Sequence, residues 1–556
     1  MDINANAQKY AYVTGITKPF TMPTGSGGIL AVAFTKKTAD YVSSAYTLLV
    51  VLIFMIGWKL ALAILMRFRE PGKEHGRTPL ASLWNSGQSM NVEMVMASYC
   101  KGAMPGLFGD SPEGASMKWE PKDLLWGLPF AFIALGMTVG NVLAGVLVPG
   151  QLSIGNVAPP DKNLIFYPDV TSYARDDDNG AANSKLNSLK APSALRALGA
   201  VEDSPVELRK LVYIGREPDG NSTHLKYGYN VTGVDLGLQS DPKLKLMVKG
   251  SCRTDDTWFL NSSDQVDSYR LFDGNEIFEA KYQPTVDLPP MVNFMIHGDT
   301  VGSSNVSYAM IVTTAGLYSY TSSKDPWYAT EKTVNGSIAY KVRRGRPALS
   351  CWEATTWHLN GKDVEGSKLN TLPGLRLHDF WVERVFPYEF GIPRIVNIGR
   401  LAGTSALKSV FYTTAPYFIL DAGKSTLLDD FERLVLASWV SSRNVLRDTT
   451  TTNPGDMVNL AKGPGGSVDA GYAKFVLQSV EVVTFSVYGL ISLPAFLLFM
   501  FIIQKSFSSV LQPSNSGYEP TPPSENEEDR MGLVTVKPKD QNVYFSRINL
   551  LKIFKR

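Results

Sequence analysis

Residues 124–148 carry no charged side chain over about 25 positions. A helix of that length crosses the hydrocarbon core of a bilayer. The run is entered past Lys118 and Lys122 and left with no Lys or Arg before Lys162, an asymmetry that directs its C-terminal end away from the cytosol. Two further apolar runs accompany it. Residues 45–66 are apolar except for Lys59 and are followed by Arg67, Arg69, Lys73 and Arg77, which mark a cytosolic C-terminal end. Residues 482–503 lie between Glu481 and Lys505 and contain Pro494 as a kink site. The sequence therefore predicts an extracytoplasmic N-terminal arm (1–44), a transmembrane helix (45–66) and a cytoplasmic loop (67–123). A second transmembrane helix (124–148), an exported domain (149–478), a third transmembrane helix (482–503) and a disordered cytoplasmic tail (505–556) follow. Gly136-Met-Thr-Val-Gly140 matches the GxxxG pattern, and with Gly145 it offers the first helix a small-residue surface.

Formal net charge is +2, from 54 basic and 52 acidic residues, so no bulk field argues for nucleic acid. The apolar piece 29–34 is too short for a signal peptide, and Lys36 and Lys37 follow it rather than precede it. The arm around it is rich in Thr and Gly and reads as flexible. Of three cysteines, Cys252 and Cys351 fall in the exported region, where an oxidising compartment suits a bridge, and Cys100 falls on the cytosolic side. A bridge would close a loop of about 100 residues, for which the chain-entropy model gives roughly 4–5 kcal/mol. Two buried free thiols are the alternative.

The exported region reads as an α+β domain, β-rich first and helical second. Residues 151–204, rich in Pro, Asn, Ser and Asp, read as irregular. Arg175-Asp-Asp-Asp-Asn-Gly180 fails as a calcium loop, because Arg175 and Leu186 fall where Asp and Glu are required. Strands are expected at 225–236, 243–248, 291–297, 306–314, 338–342 and 349–358, separated by turn residues such as Asp219-Gly220 and Asp273-Gly274. An antiparallel sandwich or layered sheet follows. Five Asn-x-Ser/Thr acceptors, Asn221, Asn230, Asn261, Asn305 and Asn335, fall here and none in the segments read as cytosolic, which agrees with the charge rule on independent grounds. From Ser425 as cap to Arg447, apolar residues recur at three- and four-residue steps, with Asp429, Asp430, Arg433 and Arg443 on the opposite face. Residues 449–471 read as a stalk.

On the cytosolic side, residues 82–99 read as one helix, and Cys100 is a remote candidate for acylation. Residues 529–534 loosely resemble a sorting signal, and 547–556 alternate apolar and basic residues suited to an inner leaflet.

No G-x-S-x-G, P-loop, HExxH or paired CxxC is present, and His224, His297, His358 and His378 lack ligand spacing, so no metal or cofactor is expected. Asp379 and Glu383, with Glu389 near, are the acids a glycosidase would use, against the commoner reading of a solvated face. Trp258, Trp327, Trp352, Trp357 and Trp381 can stack sugar rings, although in a β-rich domain such residues are otherwise core.

The segments Leu349-Ser-Cys-Trp-Glu-Ala-Thr-Thr-Trp357, Leu372-Pro-Gly-Leu375 and Arg433-Leu-Val-Leu-Ala-Ser-Trp-Val-Ser-Ser-Arg-Asn-Val-Leu446 resemble those of a broad set of fungal integral membrane proteins of unassigned function. The resemblance spans mainly 340–450. It implies few membrane spans around one large exported domain and carries no catalytic or binding residue. The expected function is a noncatalytic surface or lumenal binding module for wall polysaccharide or a protein partner. A membrane-anchored ectodomain enzyme acting on glycans is the alternative, and a transporter component is third. The expected partners are the lipid bilayer and that ligand. The expected location is the plasma membrane or another secretory-pathway membrane.

Overall fold

Strict alternation of side chains sets the central layer. In Ser222–Thr232 (β5), Leu225, Tyr227, Tyr229 and Val231 point to one side and the residues between them to the other, the period of two that a pleated strand imposes. In the computed structural model this strand lies in a seven-stranded antiparallel sheet. The sheet runs Val292–His297 (β10), Asn305–Val312 (β11), Ala348–Leu359 (β12), Lys245–Asp255 (β6), β5 and Val212–Asp219 (β4), with Lys362–Glu365 (β13) paired to β12. The structure describes residues 12–67, 121–168, 180–219, 222–263, 266–272, 274, 277–281, 289–298, 305–333, 338–414, 417–448, 459–462, 466 and 468–511. Each of the six strands expected from sequence overlaps an observed one.

Cys351 of β12 stands opposite Cys252 of β6, and their sulfurs lie 2.08 Å apart on the buried face. That face is covered by Gly180–Asp203 (α3), Arg394–Ala402 (α5) and Leu427–Arg443 (α6). The Phe431 ring meets Tyr227 edge-on at 5.5 Å, and Trp439 Nε1 donates to the Asn230 carbonyl at 2.9 Å. On the far side of the sheet, Ala309, Ile311 and Ala348 pack under Trp258, Tyr269 and Leu271. Those three come from a small sheet of Phe259–Ser262, Val266–Arg270 and Ile277–Lys281 and the turns beside it. The domain is thus a layered α+β fold of small sheet, large sheet and helices.

Several expectations need correction. The stretch 151–204 contains α3, whose Ala194, Ala197, Leu198 and Val201 recur at helical steps on a buried face. Helix α6 is capped by Thr426, whose side chain accepts from the Asp429 N–H, not by Ser425. Asp430 and Arg433 are buried, because each finds polar partners inside. Tyr328 and the Ser409 N–H serve Asp430, and Arg433 donates to Glu202 and to the Ser405 and Leu407 carbonyls. The supposed stalk is anchored: Asn459 accepts from the Tyr167 N–H at 3.0 Å and donates to the Ile165 carbonyl at 2.8 Å.

Among the described residues three helices are long and apolar enough to cross a membrane, at Lys36–Ala61, Phe132–Leu152 and Val487–Phe507. They belong to Lys36–Arg67 (α1), Pro121–Leu152 (α2) and Val487–Leu511 (α7). The N-terminal arm is not free. Phe20–Thr24 (β1) and Gly27–Thr35 (β2) form a hairpin, and Val482–Ser486 (β14), read from sequence as the start of the third span, is a strand paired to β2. Ser153–Gly155 (β3) completes this four-stranded sheet. The Val-Val-Thr-Phe composition of β14 favours a pleated surface over a helix. Strand β2 enters α1 directly, β14 enters α7 directly, and α2 ends where β3 begins. One sheet therefore ties the first turns of α1 and α7 to the last turn of α2.

Within the helical layer α1 contacts both neighbours. A Cβ added at Gly140 would lie 3.1 Å from Phe54, and one at Gly145 would lie 3.8 Å from Thr47, so these two glycines face α1; Gly136 faces nothing within 4 Å. Gly57 takes the Met137 and Met500 methyls at 3.5 and 3.8 Å from such a position. Residues 82–99, Cys100, 529–534, 547–556 and Arg175 through Asn179 lie outside the described residues.

Candidate functional site

A π-helical turn, Phe380–Val385, leads into Phe386–Phe390 (α4), with Pro387 in its first turn. The Trp357 ring stacks on Phe386 at 5.4 Å and meets Phe390 edge-on at 5.6 Å, which fixes α4 on the sheet. Tyr388 and Glu389 then face a cavity of about 530 Å³ between α3, α4, α5 and the segment around Tyr167. From α5 the residues at 394, 397, 398 and 401 line it, one face of a helix. Gly399 lets α5 approach β10 closely, since a Cβ there would fall 2.0 Å from the Phe294 ring.

Glu389 accepts three hydrogen bonds, from Lys190 Nζ at 2.7 Å, Arg394 Nη1 at 2.8 Å and Tyr167 Oη at 2.9 Å. Burial opposes its charge, but Lys190 and Arg394 outweigh burial and hold the carboxyl at about 2. Arg196 pairs with Asp448 across the same cavity, and burial raises Asp448 against the pull of that cation. The fourth cation of the lining, Arg400, donates to the Phe294 carbonyl at 3.0 Å and has no carboxylate within 4 Å among the described residues. Arg400 as a whole is exposed, and partial burial of its side chain lowers its ionisation. The Nε of Arg394, itself 7 % exposed, has no hydrogen-bond partner among the described residues.

Beneath the cavity, Glu353 of β12 is buried and interacts with the Arg394 backbone N–H and with Tyr227 Oη at 2.7 Å. Burial pushes its carboxyl up to about 7 despite those donors. Tyr227 in turn meets Tyr308 at 2.9 Å, and burial raises both phenols well above their usual range.

The arrangement suits binding better than proton transfer. Glu389 is ionised and already holds three donors, so it has no proton to give and little basicity to offer. Asp379 and Glu383 are exposed and do not line the cavity, so the three acids expected together are separated. Trp258, Trp327, Trp357 and Trp381 are core residues, and only Trp352 of the five is exposed. His224 bonds Ser251 at 2.6 Å and His358 bonds Asp363 at 2.5 Å, both outside the cavity. No group of three metal-ligating side chains occurs among the described residues. Asn230, Asn261 and Asn305 have exposed side chains at strand positions; Asn221 and Asn335 lie outside the described residues.

Sequence reasoning missed Lys190, Arg196, Arg394, Arg400 and Asp448. The apolar period of α3 was the available signal for the first two, since it would have turned an apparently irregular stretch into a helix that carries them both. No curated protein and no solved structure matches the chain. A family described as a domain of unknown function (DUF8406) matches residues 191–477, which contain the large sheet, α5, α6 and most of the cavity lining. The chain belongs to that family.

Proposed function

We propose that the chain is a three-span membrane glycoprotein whose folded domain is a noncatalytic binding module on the non-cytosolic side, with the cavity beside Glu389 as its binding site. The observation that carries this reading is the cavity itself: its size suits a small molecule, its polar groups are fixed by hydrogen bonds, and its central carboxylate already holds three donors. The membrane part is supported by the three apolar helices and by the sheet that gathers α1, α2 and α7 at the domain's end. The exposed Asn230, Asn261 and Asn305 are the acceptors for glycans, and the bridge between Cys252 and Cys351 fits an oxidising compartment. The resemblance of 340–450 supports a fungal lineage, and the plasma membrane or another secretory-pathway membrane as the location.

Polysaccharide is the less supported ligand, because four of the five tryptophans that would stack sugar rings are in the core. Catalysis on glycans is likewise less supported, because Asp379 and Glu383 do not share a cleft with Glu389. Cells carrying Asp379→Asn with Glu383→Gln should keep the phenotype of the wild-type chain, whereas Asn397→Trp, which places a ring in the cavity, should reproduce the deletion. Loss of function in the amide variant with no effect of Asn397→Trp would refute the reading.

A further inference from the structure

We propose that the ligand of this cavity is a small, water-soluble organic oxyanion, a carboxylate or phosphate joined to an apolar body; the inference rests on the binding-module reading above. The charge inventory carries it. Among the described residues four cations, Lys190, Arg196, Arg394 and Arg400, line the cavity against two carboxylates, Glu389 and Asp448. Among the described residues one carboxylate is shared by Lys190 and Arg394, the other pairs with Arg196, and the exposed Arg400 donates to a backbone carbonyl. The described lining thus holds two more cations than carboxylates, and the low-dielectric walls of a cleft focus such a field on an anion. A guanidinium matches a carboxylate or phosphate edge in its planar fork, which is why arginine rather than lysine suits such a guest.

The rest of the wall describes the remainder of the ligand. Phe166, Pro192, Ile392, Ile398, Leu401 and Val445 supply apolar surface, so a bare inorganic ion would leave most of the cavity unfilled. The guest therefore carries a compact hydrophobic portion beside its charged end.

The test uses the full chain in neutral detergent, with the tryptophan-fluorescence unfolding midpoint read against probe concentration. A ligand that binds only the native state raises the midpoint. Phenylphosphonate and benzoate should raise it at concentrations where benzyl alcohol, benzylamine and inorganic phosphate do not. Arg400→Gln, which strands no carboxylate, should weaken the apparent affinity for phenylphosphonate by about tenfold or more. Equal shifts from benzyl alcohol and benzoate would overturn the oxyanion proposal while leaving the cavity as a binding site. A shift from phosphatidic acid in mixed micelles, with none from the soluble anions, would assign the site to a lipid headgroup and overturn the proposal. Absence of any shift across the panel, with Arg400→Gln indistinguishable from wild type, would overturn both the inference and the binding reading. The chain's own Asp176, Asp177 and Asp178 are one further source of anionic charge. Their joint change to Asn should leave phenylphosphonate affinity unchanged, and a tenfold gain would mean that they compete for the cations and would overturn a separate ligand.

Discussion

Replacing Glu389 with Gln keeps the side chain's shape and one acceptor oxygen but removes the charge that two cations share. Its side chain is 8 % exposed and that of Arg394 is 9 % exposed, so this pair is buried, whereas Lys190 at 26 % can turn toward water. Removing one partner of a buried pair typically costs about 3–5 kcal/mol, because the other charge is left uncompensated. Linkage gives a similar size: a carboxyl lowered from 4.5 to about 2 is stabilised on folding by roughly 3 kcal/mol. Because the folded value is depressed, this contribution is present above about 4.5 and is lost as pH falls toward about 2. Urea unfolding of the full chain in neutral detergent at pH 6.5, followed by tryptophan fluorescence, should show the variant destabilised by about 3 kcal/mol. Glu389→Gln combined with Arg394→Met should recover part of that loss. A change below about 1 kcal/mol in the single variant would refute the claim that Glu389 is the counterion of Arg394.

Glu353 and Asp430 act in the opposite sense. Burial raises them from 4.5 to about 7 and from 3.8 to about 6, so the stability they contribute is full at low pH and is lost as pH rises through those folded values. Raising pH from 5 to 8 should therefore destabilise the domain by roughly 2–4 kcal/mol, and Glu353→Gln should flatten the dependence in the same urea assay. Gly399→Ala should lower stability by about 1–3 kcal/mol, since its methyl would collide with the Phe294 ring between α5 and β10; an unchanged midpoint would show that the helix is free to move. Denatured without reductant, the full chain should leave only Cys100 open to alkylation by mass, and Cys252→Ser with Cys351→Ser should cost about 2–5 kcal/mol.

What was legible in the sequence followed from long or strictly periodic signals. The charge-free run near Gly140, the alternation of Leu225 to Val231 and the three- to four-residue steps of α6 each repeat enough to specify an element without its partners. Short elements that depend on distant partners were not legible. Val482–Ser486 looks like the start of a span until β2 and β3 are seen to pair with it, and the 27–35 segment looks like a loose arm until β14 closes its sheet. Asp430 and Arg433 read as surface charges because helical phase says nothing of the Tyr328 hydroxyl or the Ser405 carbonyl that wait for them. The cavity escaped for the same reason. Its charged groups come from α3, α4, α5 and the turn after α6, and only the fold brings Lys190 to Glu389 over 199 residues of chain.

In the proposed topology the domain stands on the non-cytosolic side, at the end where β2, β3 and β14 gather the helices. Protease added to sealed vesicles with the cytosolic face outward tests it directly. The account predicts that the acidic tail is removed while a fragment containing Cys252, Cys351 and Glu389 survives until detergent opens the vesicles. Digestion of that fragment in intact vesicles, with the tail spared, would contradict the account.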